Sequence, residues 1–205
     1  MTAHGGNIRL AAERYGLRED SILDFSANIN PLGLTEKIKK VLSDSLDSIR
    51  NYPDPECKAL KDEVADFLDL QSRHILIGNG STELIYLIPK ALTPRRVLIV
   101  IPTFSEYESS AKQQRSKIIF VRRNRESCFK MEIENLVRLV PKSGLVFICN
   151  PNNPTGDLLS KDEIMYLVKV ARRQGSILII DEAFIEFIEE EKAFSVVREA
   201  AKASN

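Results

Sequence analysis

Two carboxylates follow an apolar run in IIDEAFIEF (Ile179–Phe187). An acid that ends a buried strand is costly unless a cation, a metal or a hydrogen-bond network compensates it. A metal is poorly supplied here. The chain has two histidines, His4 and His74, and His74 stands at the opposite end of its own apolar run, so no metal is expected. Three more loops carry chemistry. In GNGSTE (Gly78–Glu83), glycines let the backbone approach a ligand closely. Ser81 and Thr82 put hydroxyls and free N–H groups at a helix start, where a phosphate binds well. The same residue types also cap helices that bind nothing. In IPTFSEYE (Ile101–Glu108), Phe104 and Tyr107 offer aromatic faces, to a flat ring or to the core. NPNNPTGD (Asn150–Asp157) mixes turn formers with side-chain amides, and reads either as a turn alone or as an amide held to meet a ligand. Cys149, just before it, reads as a catalytic thiol or as a small buried hydrophobe.

The elements that must hold these loops alternate. Continuous apolar runs at His74–Gly78, Val97–Ile101, Lys117–Val121, Leu145–Cys149 and Ile177–Asp181 predict strands covered on both faces. Between them, helices are predicted over Ser81–Leu92, Glu106–Lys117, Glu132–Val140 and Ser160–Gln174. The last opens with the capping-box spacing of Ser160 and Glu163. The order implies an α/β fold with a mainly parallel sheet flanked by helices. Residues 1–70 differ, with helical patterns at Ile8–Tyr15, Thr35–Ile49 and from Cys57 to Leu68, and read as an N-terminal helical arm and linking helices. Residues 71–205 form the sheet domain. All four loops then lie at the carboxyl ends of strands, where open α/β sheets bind ligands. A phosphate cradle, an aromatic face, an amide and a buried carboxylate together suit a flat, phosphorylated, pyridine-type cofactor.

Composition narrows the partners. Lys plus Arg and Asp plus Glu are balanced at 29 each, so no net field recruits nucleic acid or an anionic membrane. The apolar runs are too short to span a bilayer, and the N-terminus lacks a signal-type apolar segment. Three scattered cysteines form no metal-ligand or redox spacing, so a reduced, cytoplasmic protein is expected.

The motifs YPDP, GNGST, PTFSEY, NPNNPTG and DEAF, in that order, resemble those of the fold-type I pyridoxal-phosphate enzymes, the aspartate-aminotransferase superfamily. The resemblance implies pyridoxal 5'-phosphate as cofactor. Gly80, Ser81 and Thr82 would hold its phosphate, Phe104 would stack on its ring, Asn153 would bond the ring hydroxyl, and Asp181 would pair with the pyridinium nitrogen. Tyr52 resembles the tyrosine that reaches the cofactor phosphate of a neighbouring subunit, which implies a homodimer. Two branches compete. Histidinol-phosphate aminotransferases share YPDP, NPNNPTG and a DEA motif. HGGN (His4–Asn7), LDFSANINPLG (Leu23–Gly33), PTFSEYE and the Phe184 of DEAF are more similar to the L-threonine-O-3-phosphate decarboxylases, which make the aminopropanol phosphate linker of cobalamin. On that likeness His4, Gly5, Gly6 and Asn28 would bind a small phosphorylated amino acid. The expected reaction is decarboxylation of L-threonine O-3-phosphate to (R)-1-amino-2-propanol O-2-phosphate. Transamination is the alternative. A non-catalytic α/β module that binds a phosphorylated metabolite through GNGST is another; an NAD site is weaker, since GNGSTE lacks G-x-G-x-x-G.

One part of the family pattern is missing. Its Schiff-base lysine should follow the DEAF strand after one more helix and strand, and Lys192 and Lys202, the only lysines after Asp181, lack its setting. Residues 71–205 are therefore expected to form a partial cofactor-binding large domain. On the resemblance, the family's C-terminal small domain is expected to be missing from these residues, and turnover is expected only from a complete chain.

Overall fold

Successive strand residues face opposite sides of a sheet, and here both sides are buried. A computed structural model describes residues 5–203. In β1 (Arg96–Ile101), Val97 and Ile99 join one apolar layer, while Leu98 and Val100 join the other. β3 (Leu145–Cys149) repeats the pattern, with Leu145, Phe147 and Cys149 on the first side and Val146 and Ile148 on the second. β2 (Lys117–Arg122) and β4 (Ile177–Asp181) flank them, giving a parallel four-stranded sheet in the order β2-β1-β3-β4. The α/β fold with helices on both faces is thus as expected.

The helices supply the outer layers. Ile85 of α4 (Gly80–Leu92) and Tyr107 and Ala111 of α5 (Glu106–Gln113) cover the first face. Ile133 and Leu136 of α6 (Ile133–Val137), with Ile164, Leu167 and Ala171 of α7 (Lys161–Gln174), cover the second. Ser160 caps α7 through the full capping box with Glu163. The chain runs outward from β1 to β2 in one direction and from β3 to β4 in the other. Strand order therefore reverses between β1 and β3, the position at which open α/β sheets leave a ligand crevice.

The run at 74–78 departs from expectation. Ser72–His74 is a 3-10 turn, residues 75–79 form no strand, and Leu76 is 66% exposed. A strand needs a neighbour to take its backbone hydrogen bonds, and among the described residues none pairs with this run. Past β4, Glu182 accepts hydrogen bonds from Ser195 Oγ and Val196 N, each at 2.7 Å, and so pins the short helices α8 (Glu191–Phe194) and α9 (Val197–Ala200). Lys192 and Lys202 are exposed.

The backbone divides into two compact units, Met1–Pro55 and Glu56–Asn205. The second includes α3 (Lys58–Leu68). The first holds α1 (Ile8–Tyr15) and α2 (Glu36–Asp44). The helix expected over Thr35–Ile49 breaks at Ser45, whose hydroxyl donates to the Val41 carbonyl at 2.7 Å, and a 3-10 turn at Leu46–Arg50 follows. Among the described residues, no helix is long and apolar enough to cross a membrane.

Candidate active site

Asp181 ends β4 in register with Cys149 of β3. Its Oδ2 accepts a hydrogen bond from the Tyr107 hydroxyl at 2.6 Å, and its Oδ1 accepts one from Ala183 N at 3.0 Å. The carboxylate is thus compensated by hydrogen bonds. Tyr107 is fully buried, stacks on Phe147 at 4.8 Å and lies edge-to-face with Phe104 at 5.8 Å between ring centroids. Burial, then the nearby Cys149 and Asp181, drives the Tyr107 hydroxyl far above its ordinary range, so it stays a donor. Phe104 itself is half-buried at the end of β1. Among the described residues no cluster of His, Cys, Asp and Glu could hold a metal ion.

The three asparagines of NPNNPTGD divide the work. Asn150 is fully buried; its amide donates to the Leu159 carbonyl at 3.2 Å and accepts from Leu159 N at 2.7 Å. Asn152, 3% exposed, bonds the Pro102 carbonyl, Thr103 and Thr155. Asn153 is half-buried, and among the described residues its side-chain amide takes no hydrogen-bond partner. Fold and turn consume two amides and leave one available, beside the crevice between β1 and β3. The loop is anchored at its far end by an ion pair between Arg123 and Asp157, whose side chains are 2% and 12% exposed. Asp157 also accepts from Met131 N at 2.9 Å, and Arg123 donates to the Phe129 carbonyl at 3.3 Å. Burial lowers the Arg123 pKa, and Asp157 opposes the shift. Cys149 is buried and its Sγ donates to the Pro151 carbonyl at 3.2 Å. Burial raises its pKa, so it behaves as a small core residue rather than an activated thiol.

Gly80 opens α4 with φ +75, a conformation that L side chains rarely adopt. A Cβ built on it meets nothing within 4 Å, so the backbone here is open to an incoming group. Ser81 and Thr82 follow in the first turn, both exposed, while Glu83 accepts from Asn79 N at 2.6 Å and braces the loop. A phosphate fits this end: backbone donors, two hydroxyls and a positive helix terminus face outward.

In the first unit, His4 lies outside the described residues. Gly5 and Gly6 are tied to the LDFSAN segment: Gly6 N donates to Ser26 Oγ at 2.8 Å. A Cβ on Gly5 would stand 1.7 Å from the Ser26 carbonyl oxygen, so only glycine fits there. Asp24 organises this turn, accepting from Ser26 N at 2.7 Å and Ser26 Oγ at 2.6 Å, and the hydroxyl bond leads in lowering its pKa. Asn28 is exposed, and Tyr52 fully so, at 101%.

Sequence reasoning singled out the residues that face outward and passed over those that hold them. Thr103, Asn150, Asn152, Arg123 and Asp157 had no visible partners along the chain, although the density of amides in NPNNPTGD was a signal. In the sequence Tyr107 reads only as an aromatic, since its hydroxyl's partner lies 74 residues away. The group implied by the resemblance is flat, aromatic and phosphorylated. The residues present fit it: a fixed carboxylate at the end of β4, an available amide after β3, an aromatic ring after β1, and an open helix terminus at Gly80, which no strand precedes.

Comparison with known proteins agrees. Residues 20–205 match the sequence model of the family described as aminotransferase class I and II. The threonine-phosphate decarboxylase of Salmonella typhimurium is 39% identical over 193 residues, covering 94% of this chain and 53% of that protein. The histidinol-phosphate aminotransferase of Methanocaldococcus jannaschii is 32% identical over 184 residues, covering 88% and 48%. The crystal structure of L-threonine-O-3-phosphate decarboxylase from Porphyromonas gingivalis superposes with a TM-score of 0.69 at 30% identity, over 82% of this chain and 49% of that one. The chain spans about half the length of these relatives. With the fold, the strand-end loops and this match in agreement, the chain belongs to the class I and II aminotransferase family.

Proposed function

We propose that this chain forms the cofactor-holding region of a pyridoxal 5'-phosphate-dependent carboxy-lyase that acts on L-threonine O-3-phosphate. The observation that carries the cofactor is Asp181, fixed by Tyr107 and Ala183 N at the carboxyl end of β4. Its carboxylate holds a proton on the ring nitrogen. Asn153 donates its free amide to the ring oxygen, Phe104 covers the ring, and Gly80, Ser81 and Thr82 bind the phosphate. When bound, the protonated ring supplies an electron sink for the bond broken at the substrate Cα. The Cα–carboxylate bond breaks, CO₂ leaves, and a proton takes its place to give (R)-1-amino-2-propanol O-2-phosphate, a linker for cobalamin. His4, Gly5, Gly6 and Asn28 bind the substrate's phosphate or carboxylate, and the tie between Gly6 and Ser26 supports a common role for HGGN and LDFSAN.

In this reading residues 1–70 serve as the arm and linking helices and residues 71–205 carry the cofactor. The enzyme is a cytoplasmic homodimer in which the exposed Tyr52 reaches the partner's cofactor phosphate. The choice of decarboxylation rests on the higher identity to a threonine-phosphate decarboxylase. Histidinol-phosphate-type transamination is the second reading, favoured by the 32% identity to that family.

Two measurements test this, on the protein as its gene encodes it. Pyridoxal phosphate binding, followed by absorbance, is expected to fall on Asp181→Ala; unchanged affinity would leave a phosphometabolite module without a pyridinium. CO₂ release from L-threonine O-3-phosphate, set against amino transfer from glutamate to imidazole-acetol phosphate, separates the two reactions.

A further inference from the structure

Thr103 follows β1 and Asn152 follows β3, the two strands between which the order reverses, and each immediately precedes a residue assigned to the cofactor, Phe104 and Asn153. The Thr103 hydroxyl donates to Asn152 Oδ1 at 2.8 Å. The Asn152 amide nitrogen uses both its protons, on the Pro102 carbonyl at 3.0 Å and on Thr155 Oγ1 at 2.8 Å. Its orientation is chemically fixed: the Pro102 carbonyl can only accept, so the nitrogen must face it and the oxygen must face Thr103. The backbone of Asn152 closes the turn as well, donating to the Asp157 carbonyl at 2.8 Å and accepting from Gly156 N at 2.7 Å. At 3% exposure, this side chain has no water to fall back on if a partner is lost.

We propose that the Thr103–Asn152 pair is a positioning device that sets the aromatic face of Phe104 and the amide of Asn153 at a fixed separation across the crevice. The inference rests on the cofactor reading above and adds to it two residues that touch no ligand themselves. Adjacent Cα atoms are about 3.8 Å apart across a planar peptide, so a bonded pair one residue upstream on each loop limits how far the two ligand-facing residues can drift. The Pro102 and Thr155 bonds extend the tie, fastening the whole 150–157 turn to the end of β1. Substituting Thr103 loosens this tie, leaving the Asn152–Pro102 bond alone to hold the loops, without removing any group that meets the cofactor.

The test compares pyridoxal phosphate affinity, by absorbance titration, in wild type, Thr103→Val, Thr103→Ser, Asn153→Ala and the Thr103→Val/Asn153→Ala double variant. Asp181→Ala serves as the control, and thermal melting follows the fold in each. Thr103→Val keeps shape and volume but loses the donor, and is expected to weaken binding about tenfold. Thr103→Ser restores the hydroxyl and binding to within about twofold of wild type. In the Asn153→Ala background the valine change costs clearly less than in wild type, because the amide it positions is gone and only Phe104 remains to be displaced. If Thr103→Val is too unstable to titrate, Thr103→Ala takes its place in the same cycle. Wild-type affinity in Thr103→Val alongside a loss in Asn153→Ala overturns the proposal, and so do independent, multiplying effects. If neither Asn153→Ala nor Asp181→Ala weakens binding, the cofactor reading itself fails, an outcome distinct from the first two.

Discussion

Tyr107 is the residue on which the candidate site turns. Its ring is held between Phe147 and Phe104 and its hydroxyl reaches Asp181, so one side chain joins the core to the carboxylate. Tyr107→Phe keeps the ring and deletes only the donor, and should cost about 1–2 kcal/mol of stability, measured by urea unfolding. Its pH dependence has a definite sign. The folded pKa lies above the ordinary 10.0, so between the two values the folded state keeps a proton that the unfolded chain releases. Stability from this group is complete below pH 10.0 and declines above it, by at most about 1.4 kcal/mol per pH unit. Cys149 shifts the same way from 9.0, so the decline begins there and steepens past 10.0. Urea midpoints on either side of pH 10.0 should fall more gently in Tyr107→Phe than in wild type; identical slopes would show that this hydroxyl is not held as described.

At the scale of elements, the Arg123–Asp157 pair fastens the end of β2 to the turn that follows β3. Removing one member strands the other in a place that water barely reaches. Arg123→Met alone should therefore cost about 3–5 kcal/mol in urea unfolding. Adding Asp157→Leu should cost less than the sum of the two single changes, and strict additivity would mean that the pair is not coupled. Much at this scale was legible in the sequence. Four apolar runs became the sheet, and the Ser160–Glu163 spacing became a complete capping box, because buried strands and helix caps are written in local residue types. The run at 74–78 was misread because strand pairing needs a neighbour that no local pattern reports. The same limit applied to the site. Asp181 and Asn153 were visible as chemistry at strand ends, and the Gly80–Thr82 turn as chemistry at a helix start, although no strand leads into it. Tyr107–Asp181, Thr103–Asn152 and Arg123–Asp157 join residues 74, 49 and 34 positions apart, and only the folded chain brings them together.

For the whole molecule, the first unit leaves apolar side chains in water. Ile38, Val41 and Leu42 line α2 without becoming buried, and Leu23, Phe25, Ile29 and Leu32 are more exposed still. Apolar surface of this extent favours association, so light scattering should report a mass that rises with protein concentration. Val41→Glu with Leu42→Lys should lower it, and a constant monomer mass in wild type would contradict the homodimer reading. The chain also contains no tryptophan and five tyrosines, which leaves tyrosine as its ultraviolet fluorophore. A phenol that hydrogen-bonds a carboxylate emits weakly, so Tyr107 begins dark. Loosening its bond to Asp181 would brighten it, while a bound pyridoxal ring close by would absorb its emission. The site thus carries an optical reporter of its own occupancy, readable without a label.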